Sequence, residues 1–112
     1  KKNKLNLQIY IRSSDFFLAN NWNTVTGALL VHMICNLTGI KYTPGKLTVI
    51  TGDTHIYKSH IEQIKENLTR SPFPFPKLVI NNEKENIEDY TYEDFKLIGY
   101  KAQKNIGAPM AI

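Results

Sequence analysis

Four consecutive residues, Arg12-Ser13-Ser14-Asp15, put a guanidinium, two hydroxyls and a carboxylate within one short segment. Arginine offers a planar fork that donates two hydrogen bonds to phosphate oxygens. A neighbouring serine hydroxyl and free backbone N–H groups add further donors, so the segment suits an anion. The same tetrapeptide also serves as a turn with a surface ion pair. Asn23, behind Trp22, carries both a donor and an acceptor; it either caps a helix or reads the edge of a pyrimidine ring. His55 and Tyr57, two residues apart, project to one side of an extended chain and together can donate to a sugar hydroxyl. No metal-ligand spacing, glycine-rich phosphate loop or Ser-His-Asp order is present.

The elements that must hold these groups follow from periodicity. Leu5, Leu7, Ile9 and Ile11 alternate with Asn6, Gln8, Tyr10 and Arg12, which predicts a strand with one apolar and one polar face. Val25, Leu29, Met33 and Leu37, widened by Leu30, Ile34 and Cys35, predict a helix over Asn23 to Thr38, apolar enough to be buried on most sides. Asn21 or Asn23 is a candidate cap at its start, and Gly39 suits a left-handed residue at its end. Cys35 lies in the apolar stripe and reads as a small core hydrophobe rather than a nucleophile. Thr43-Pro44-Gly45 predicts a turn over Tyr42 to Lys46, Leu47 to Thr51 a short strand, and Gly52-Asp53 its end. A second, amphipathic helix is expected from Ser59 to Thr69, stopped by the prolines at 72, 74 and 76. Lys77 to Ile80 and Phe95 to Tyr100 are further strands around a polar loop, and the tail from Lys101 has no clear period. The fold class is therefore α+β, a mixed or antiparallel sheet packed with a long buried helix, in one domain over residues 1–112.

Composition agrees with one globular unit. The chain has 112 residues, 42% hydrophobic and 21% charged, and a formal net charge of +4. The lysines are scattered, which suits a solvated surface or the steering of an anionic ligand; the concentrated basic stripe that nucleic acid requires is missing. No run approaches a membrane span and nothing reads as a secretory signal. A single cysteine fits a reducing compartment, so a cytoplasmic location is expected.

Taken in order, the motifs resemble the thymidylate synthase family. Gln8-Ile9-Tyr10-Ile11-Arg12-Ser13-Ser14-Asp15, with Asn23 eight residues on, matches one signature; Gly52-Asp53-Thr54-His55-Ile56-Tyr57, with His60 three residues on, matches the second. Leu68-Thr69-Arg70-Ser71-Pro72, Phe75-Pro76-Lys77-Leu78, Asp94-Phe95, Gly99-Tyr100 and Met110-Ala111-Ile112 follow in the family's order, so the resemblance covers essentially the whole chain. It implies the C-terminal part of the thymidylate synthase fold, with a homodimer as the complete enzyme.

The resemblance also implies roles. Arg12 and Ser13 would hold the 5′-phosphate of dUMP, with Gln8 and Tyr10 lining the same cleft. Asn23 would bond the uracil edge, and His55 and Tyr57 the 3′-hydroxyl of the deoxyribose. Asp15 would bond the pterin of 5,10-methylenetetrahydrofolate, with Leu18 and Trp22 packing near it, and the terminal segment with Ala111 would close over the ligands. In the family a cysteine thiolate adds to uracil C6, and the folate supplies first the one-carbon unit and then a hydride. That cysteine lies upstream of the segment matched here, so no catalytic residue and no metal is expected in this chain.

The sequence also departs from the family. Asn20-Asn21-Trp22 replaces Val-Pro-Phe, Ala19 a glycine, Ile11 a glutamine and Gly27 a tyrosine. Two rival readings remain: a pyrimidine hydroxymethylase of the same superfamily, and a truncated, non-catalytic nucleotide-binding or interaction module.

Overall fold

The computed structural model describes residues 3–110. Strand β1 (Lys4–Asp15) leads into helix α1 (Asn20–Cys35), and the chain returns as strand β2 (Thr43–His55), paired parallel to β1. A parallel pair needs such a crossover, because the chain must travel back to the starting edge before it can run in the same direction again. A single 3₁₀ turn (Lys58–His60) opens helix α2 (Ile61–Leu68); strands β3 (Lys77–Ile80) and β4 (Phe95–Ile98) then form a separate antiparallel pair. The class is α+β as expected, but in place of one mixed or antiparallel sheet the described residues form two two-stranded sheets, one parallel and one antiparallel.

The alternation read in β1 is realised. Leu5, Leu7, Ile9 and Ile11 are half-buried, while Asn6, Gln8, Tyr10 and Arg12 are exposed. Ile9 and Leu47 press against α1 at Gly27, where an added Cβ would collide with the Ile9 Cδ1 atom and lie 3.3 Å from Leu47 Cδ1. Glycine here sets how closely helix and sheet approach.

A turn and a strand end predicted from local composition are both absent. Thr43, Pro44 and Gly45 belong to β2, where the register slips between Leu5 and Leu7. Pro44 is tolerated because an irregularity there releases the ladder of one residue. Gly52-Asp53 does not end the strand either: β2 continues to His55, with Ser13, Ser14 and Asp15 opposite Asp53, Thr54 and His55. Gly52 instead makes room, since a Cβ would fall 2.6 Å from Tyr10 Oη and 2.8 Å from the Arg12 carbonyl oxygen.

Helix α1 starts three residues before the expected Asn23 and ends three before the expected Thr38. Its N-cap is Ala19, without a side-chain cap, rather than Asn21 or Asn23. Gly39 does adopt a positive φ of 78°, beyond a short turn that follows the helix. The helix is long but not buried: only Gly27 and Val31 are buried along it, and Val25 is 66% exposed. Among the described residues β1 and β2 are the strands against which α1 packs most extensively. Val31 is the only fully buried hydrophobic side chain of the described residues, while Trp22, Leu68 and Phe75 are largely in solvent. A radius of gyration of 16.7 Å, against about 13 Å for a compact domain of this length, reflects the same open arrangement.

Candidate functional site

The site is built where β1 and β2 end side by side. Because the strands are parallel, their C-terminal ends lie together, and Asp15 stands opposite His55 in the register. The Phe16 amide donates to the His55 carbonyl at 3.0 Å, which carries the pairing one step past the strand. Beyond it, Asp15 Oδ1 accepts the amides of Phe17 and Leu18, both at 3.1 Å. This carboxylate turn does the work that a helix cap would do, reversing the chain into α1.

Four aromatic rings, two of them imidazoles, complete the cluster. His55 and Tyr57 meet edge to face with centroids 5.1 Å apart, and Tyr57 meets His60 the same way at 5.6 Å. Phe17 also packs on His60, tilted, at 5.5 Å. His60 is fully buried, and its Nε2 bonds the Pro109 carbonyl at 2.7 Å. Since a carbonyl only accepts, Nε2 carries the hydrogen. Nδ1 of the same ring faces Asp15 Oδ1 at 4.0 Å, beyond hydrogen-bond length, and makes no hydrogen bond among the described residues. His55 Nδ1 stands 3.7 Å from Asp53 Oδ2.

The structure therefore gathers Asp15, His55 and Tyr57 from the sequence-predicted set. Leu18 and Trp22 join elsewhere, in the wall of a cleft of about 600 Å³ that Phe17, Asn21, Phe73 and Tyr100 also line. Trp22, which is 77% exposed, is among the residues that line this cleft. Gln8, Arg12 and Ser13 are exposed on β1, and Asn23 is half-buried in the first turn of α1. Ala111 lies outside the described residues. A larger hollow of about 700 Å³, lined by His32, Cys35, Tyr42 and Leu78, contains none of these residues. Burial raises the Cys35 thiol above its usual range, which suppresses the thiolate, but the side chain is only half-buried and lines this hollow rather than a closed core.

One member of the cluster, His60, had no role in the sequence reading. The signal was present in its spacing, three residues after Tyr57, but a histidine at a helix start reads as an ordinary surface group until the tail is seen to cover it. Among the described residues no group of His, Cys, Asp and Glu could hold a metal ion, and no helix is long and apolar enough to cross a membrane.

The fold and site define an α+β unit that presents a carboxylate, a histidine–tyrosine pair and an arginine-serine segment from the ends of a parallel strand pair. Comparison with known proteins gives this class its family. The family model described as thymidylate synthase matches residues 1–112, and the chain belongs to that family. It is 45% identical over 108 residues to a thymidylate synthase of Pseudomonas fluorescens, covering 96% of this chain and 38% of that protein. With a thymidylate synthase of Mycoplasma mobile the identity is 42% over 110 residues, covering 98% and 38%. With that of Leuconostoc mesenteroides it is 43% over 109 residues, covering 97% and 33%. The chain thus spans little more than a third of the length of these relatives.

Proposed function

We propose that the protein of which these residues form part is a thymidylate synthase, converting dUMP to dTMP with 5,10-methylenetetrahydrofolate, and that this chain supplies binding and positioning groups. The observation that carries the reading is the juxtaposition of Asp15 with His55 and Tyr57 at the paired strand ends, in a chain that belongs to this family along its whole length.

The chemistry of the groups fits the ligands. Arg12 and Ser13, consecutive and both exposed, offer the fork and hydroxyl that a 5′-phosphate takes. His55 and Tyr57, held edge to face, put an imidazole and a phenol on one side for a ribose hydroxyl. Asp15 keeps one acceptor oxygen, Oδ2, that neither of its turn bonds uses. It is thereby suited to the N–H groups of a pterin. The cleft beside it, with Leu18 and Trp22, has the size and aromatic lining to hold the rest of a folate. The folate supplies the one-carbon unit and the hydride when bound; the residues of this chain orient it and exclude water.

Exposed apolar side chains on α1 and the open edges of both strand pairs favour association, in line with a homodimer. A cytoplasmic location is part of the same proposal. Asn23 is an amide, where the cytosine-specific enzymes of the superfamily carry an aspartate, and it can accept from uracil N3–H while donating to uracil O4, which suits dUMP as the substrate.

Incubating the full-length protein with dUMP or dCMP and methylenetetrahydrofolate tests the reading. dTMP and dihydrofolate are expected from dUMP alone. A hydroxymethylated nucleotide without dihydrofolate would instead indicate the related hydroxymethylase, and binding without any product an interaction module. A reading frame without a Pro-Cys-His-like segment upstream would exclude methylation.

A further inference from the structure

Asp53 and His55 are alternate residues of β2, so their side chains leave the strand on one face. Tyr57, in an extended conformation just beyond, brings its ring edge-on to His55 with centroids 5.1 Å apart. The backbone beneath them is fixed. Ser13 stands opposite Asp53 in the parallel register, and Gly52 lies so near β1 that an added Cβ would fall 2.8 Å from the Arg12 carbonyl oxygen. Asp53 thus has a set place beside the histidine–tyrosine pair, yet the functional reading gives it no role.

His55 Nδ1 is closed to solvent and makes no hydrogen bond among the described residues. The carboxylate that faces it is Asp53, with Oδ2 at 3.7 Å. That separation is longer than a hydrogen bond, but close enough for a charge to act on the ring. A neutral imidazole has one N–H and one bare nitrogen, and what each nitrogen faces decides which is which. A bare Nδ1 would point its lone pair at an oxygen that also only accepts, with no water between them. A hydrogen on Nδ1 turns that repulsion into attraction, and the Asp53 side chain, 75% exposed, is free to close the gap. Hydrogen on Nδ1 leaves Nε2 as the acceptor, while the Tyr57 phenol can donate. A secondary alcohol gives one hydrogen and takes another, so it satisfies both. An ether, a phosphate ester or a bare methylene has no hydrogen to give and leaves Nε2 unpaired.

We propose that Asp53 is a positioning residue that sets the tautomer of His55 and thereby makes a free 3′-hydroxyl the group this end of the site selects. The proposal rests on the reading of His55 and Tyr57 as the groups that take the hydroxyl of the deoxyribose. Asp53 itself touches no ligand; it acts through the imidazole. Specificity here comes from the hydrogen a substrate can give, because a site built around a bare acceptor penalises any analogue that cannot fill it.

Two variants of the full-length protein test this, both at an exposed position where substitution costs the fold little. Asp53→Ala removes the carboxylate, and Asp53→Glu keeps one within reach. Nitrogen NMR shifts of the His55 ring, assigned by their loss in His55→Gln, report the tautomer of the unliganded protein at about pH 8, where imidazole is neutral. Wild type is expected to carry the hydrogen on Nδ1, Ala to shift it toward Nε2 and Glu to return it. Affinities for dUMP and for its dideoxy analogue, which lacks the 3′-hydroxyl, are measured by equilibrium dialysis. Wild type should prefer dUMP about tenfold, the effect of one hydrogen bond, and Ala about threefold or less, through weaker dUMP binding alone. Glu should recover the preference. Both nucleotides carry the same phosphate, so any change in the field at Arg12 and Ser13 cancels in the ratio. Hydrogen on Nε2 in the wild type, an unchanged tautomer or preference in Ala, or equal loss of both nucleotides would overturn the proposal. Wild-type protein that binds the two nucleotides alike, or neither, would defeat the ribose reading of His55 and Tyr57, while the unliganded spectra would still decide whether Asp53 sets the tautomer.

Discussion

Asp15 and His55 face each other across the last pair of the parallel register, 40 residues apart in sequence, with the Phe16 amide bonded to the His55 carbonyl. Neither residue is special by itself. Their adjacency follows from the crossover through α1, which brings two strand ends to the same edge, and Asp15, His55 and Tyr57 are all gathered there. The dependence of site on strand pairing makes several outcomes measurable.

Arg12→Ala in the full-length protein is expected to raise the KM for dUMP by one to two orders of magnitude, roughly the 1.5–3 kcal/mol of a hydrogen bond to a charged group. kcat should change less, because the phosphate is held alike in substrate and transition state. Steady-state kinetics at two ionic strengths check this. A kcat loss as large as the KM rise would move Arg12 from binding into the chemistry.

Asn23→Asp replaces a donor–acceptor amide with a group that only accepts when ionised. Discrimination should turn from the uracil edge toward the amino-bearing cytosine edge, seen as a fall in dUMP affinity and a rise in dCMP affinity. Parallel competition binding of the two nucleotides measures it, and equal loss of both would show that Asn23 supports the helix rather than reads the base.

Gly27→Ala should destabilise the fold by about 1–3 kcal/mol, the usual penalty for overpacking a filled contact. The obstructing atom is the Ile9 Cδ1 methyl, which valine lacks. Ile9→Val in the same protein should therefore recover most of the loss. Urea unfolding of both singles and the double gives the coupling directly; additive losses would place the strain elsewhere.

Asp94 is held below the usual carboxylate range by the Thr91 amide first and by Lys84 and Asn82 besides, against an opposing effect of burial. Its carboxylate accepts the Thr91 amide at 2.9 Å and lies 3.2 Å from Lys84 Nζ. A folded-state pKa below the unfolded one gives stability that is present above the unfolded value and lost as pH falls through the folded one. Melting temperature should therefore decline on acidification from about pH 5 downward, and Asp94→Asn should lower the neutral-pH value and flatten that decline. An unchanged acid limb in the variant would assign the effect to other carboxylates.

Local pattern determined much of this protein. The alternation of Leu5 to Ile11 against Asn6 to Arg12 sufficed for β1, because a pleated strand exposes alternate residues whatever it pairs with. The linked order of Arg12-Ser13, Asp15, Asn23, His55 and Tyr57 sufficed for the family. Only the tertiary structure decided the rest. Thr43-Pro44-Gly45 and Gly52-Asp53 carry turn residues, yet both run in β2, because pairing with β1 and the space needed beside Asn6 and Tyr10 outweigh local preference. The apolar stripe of α1 indicated burial, but a stripe reports what a helix can bury, not what is present to cover it. His60 likewise became part of the site only when the fold brought Pro109, 49 residues away, onto its ring. Periodicity records each segment's own preferences; proximity between distant segments is a property of the chain's path, and it is the path that joins the tail to the site.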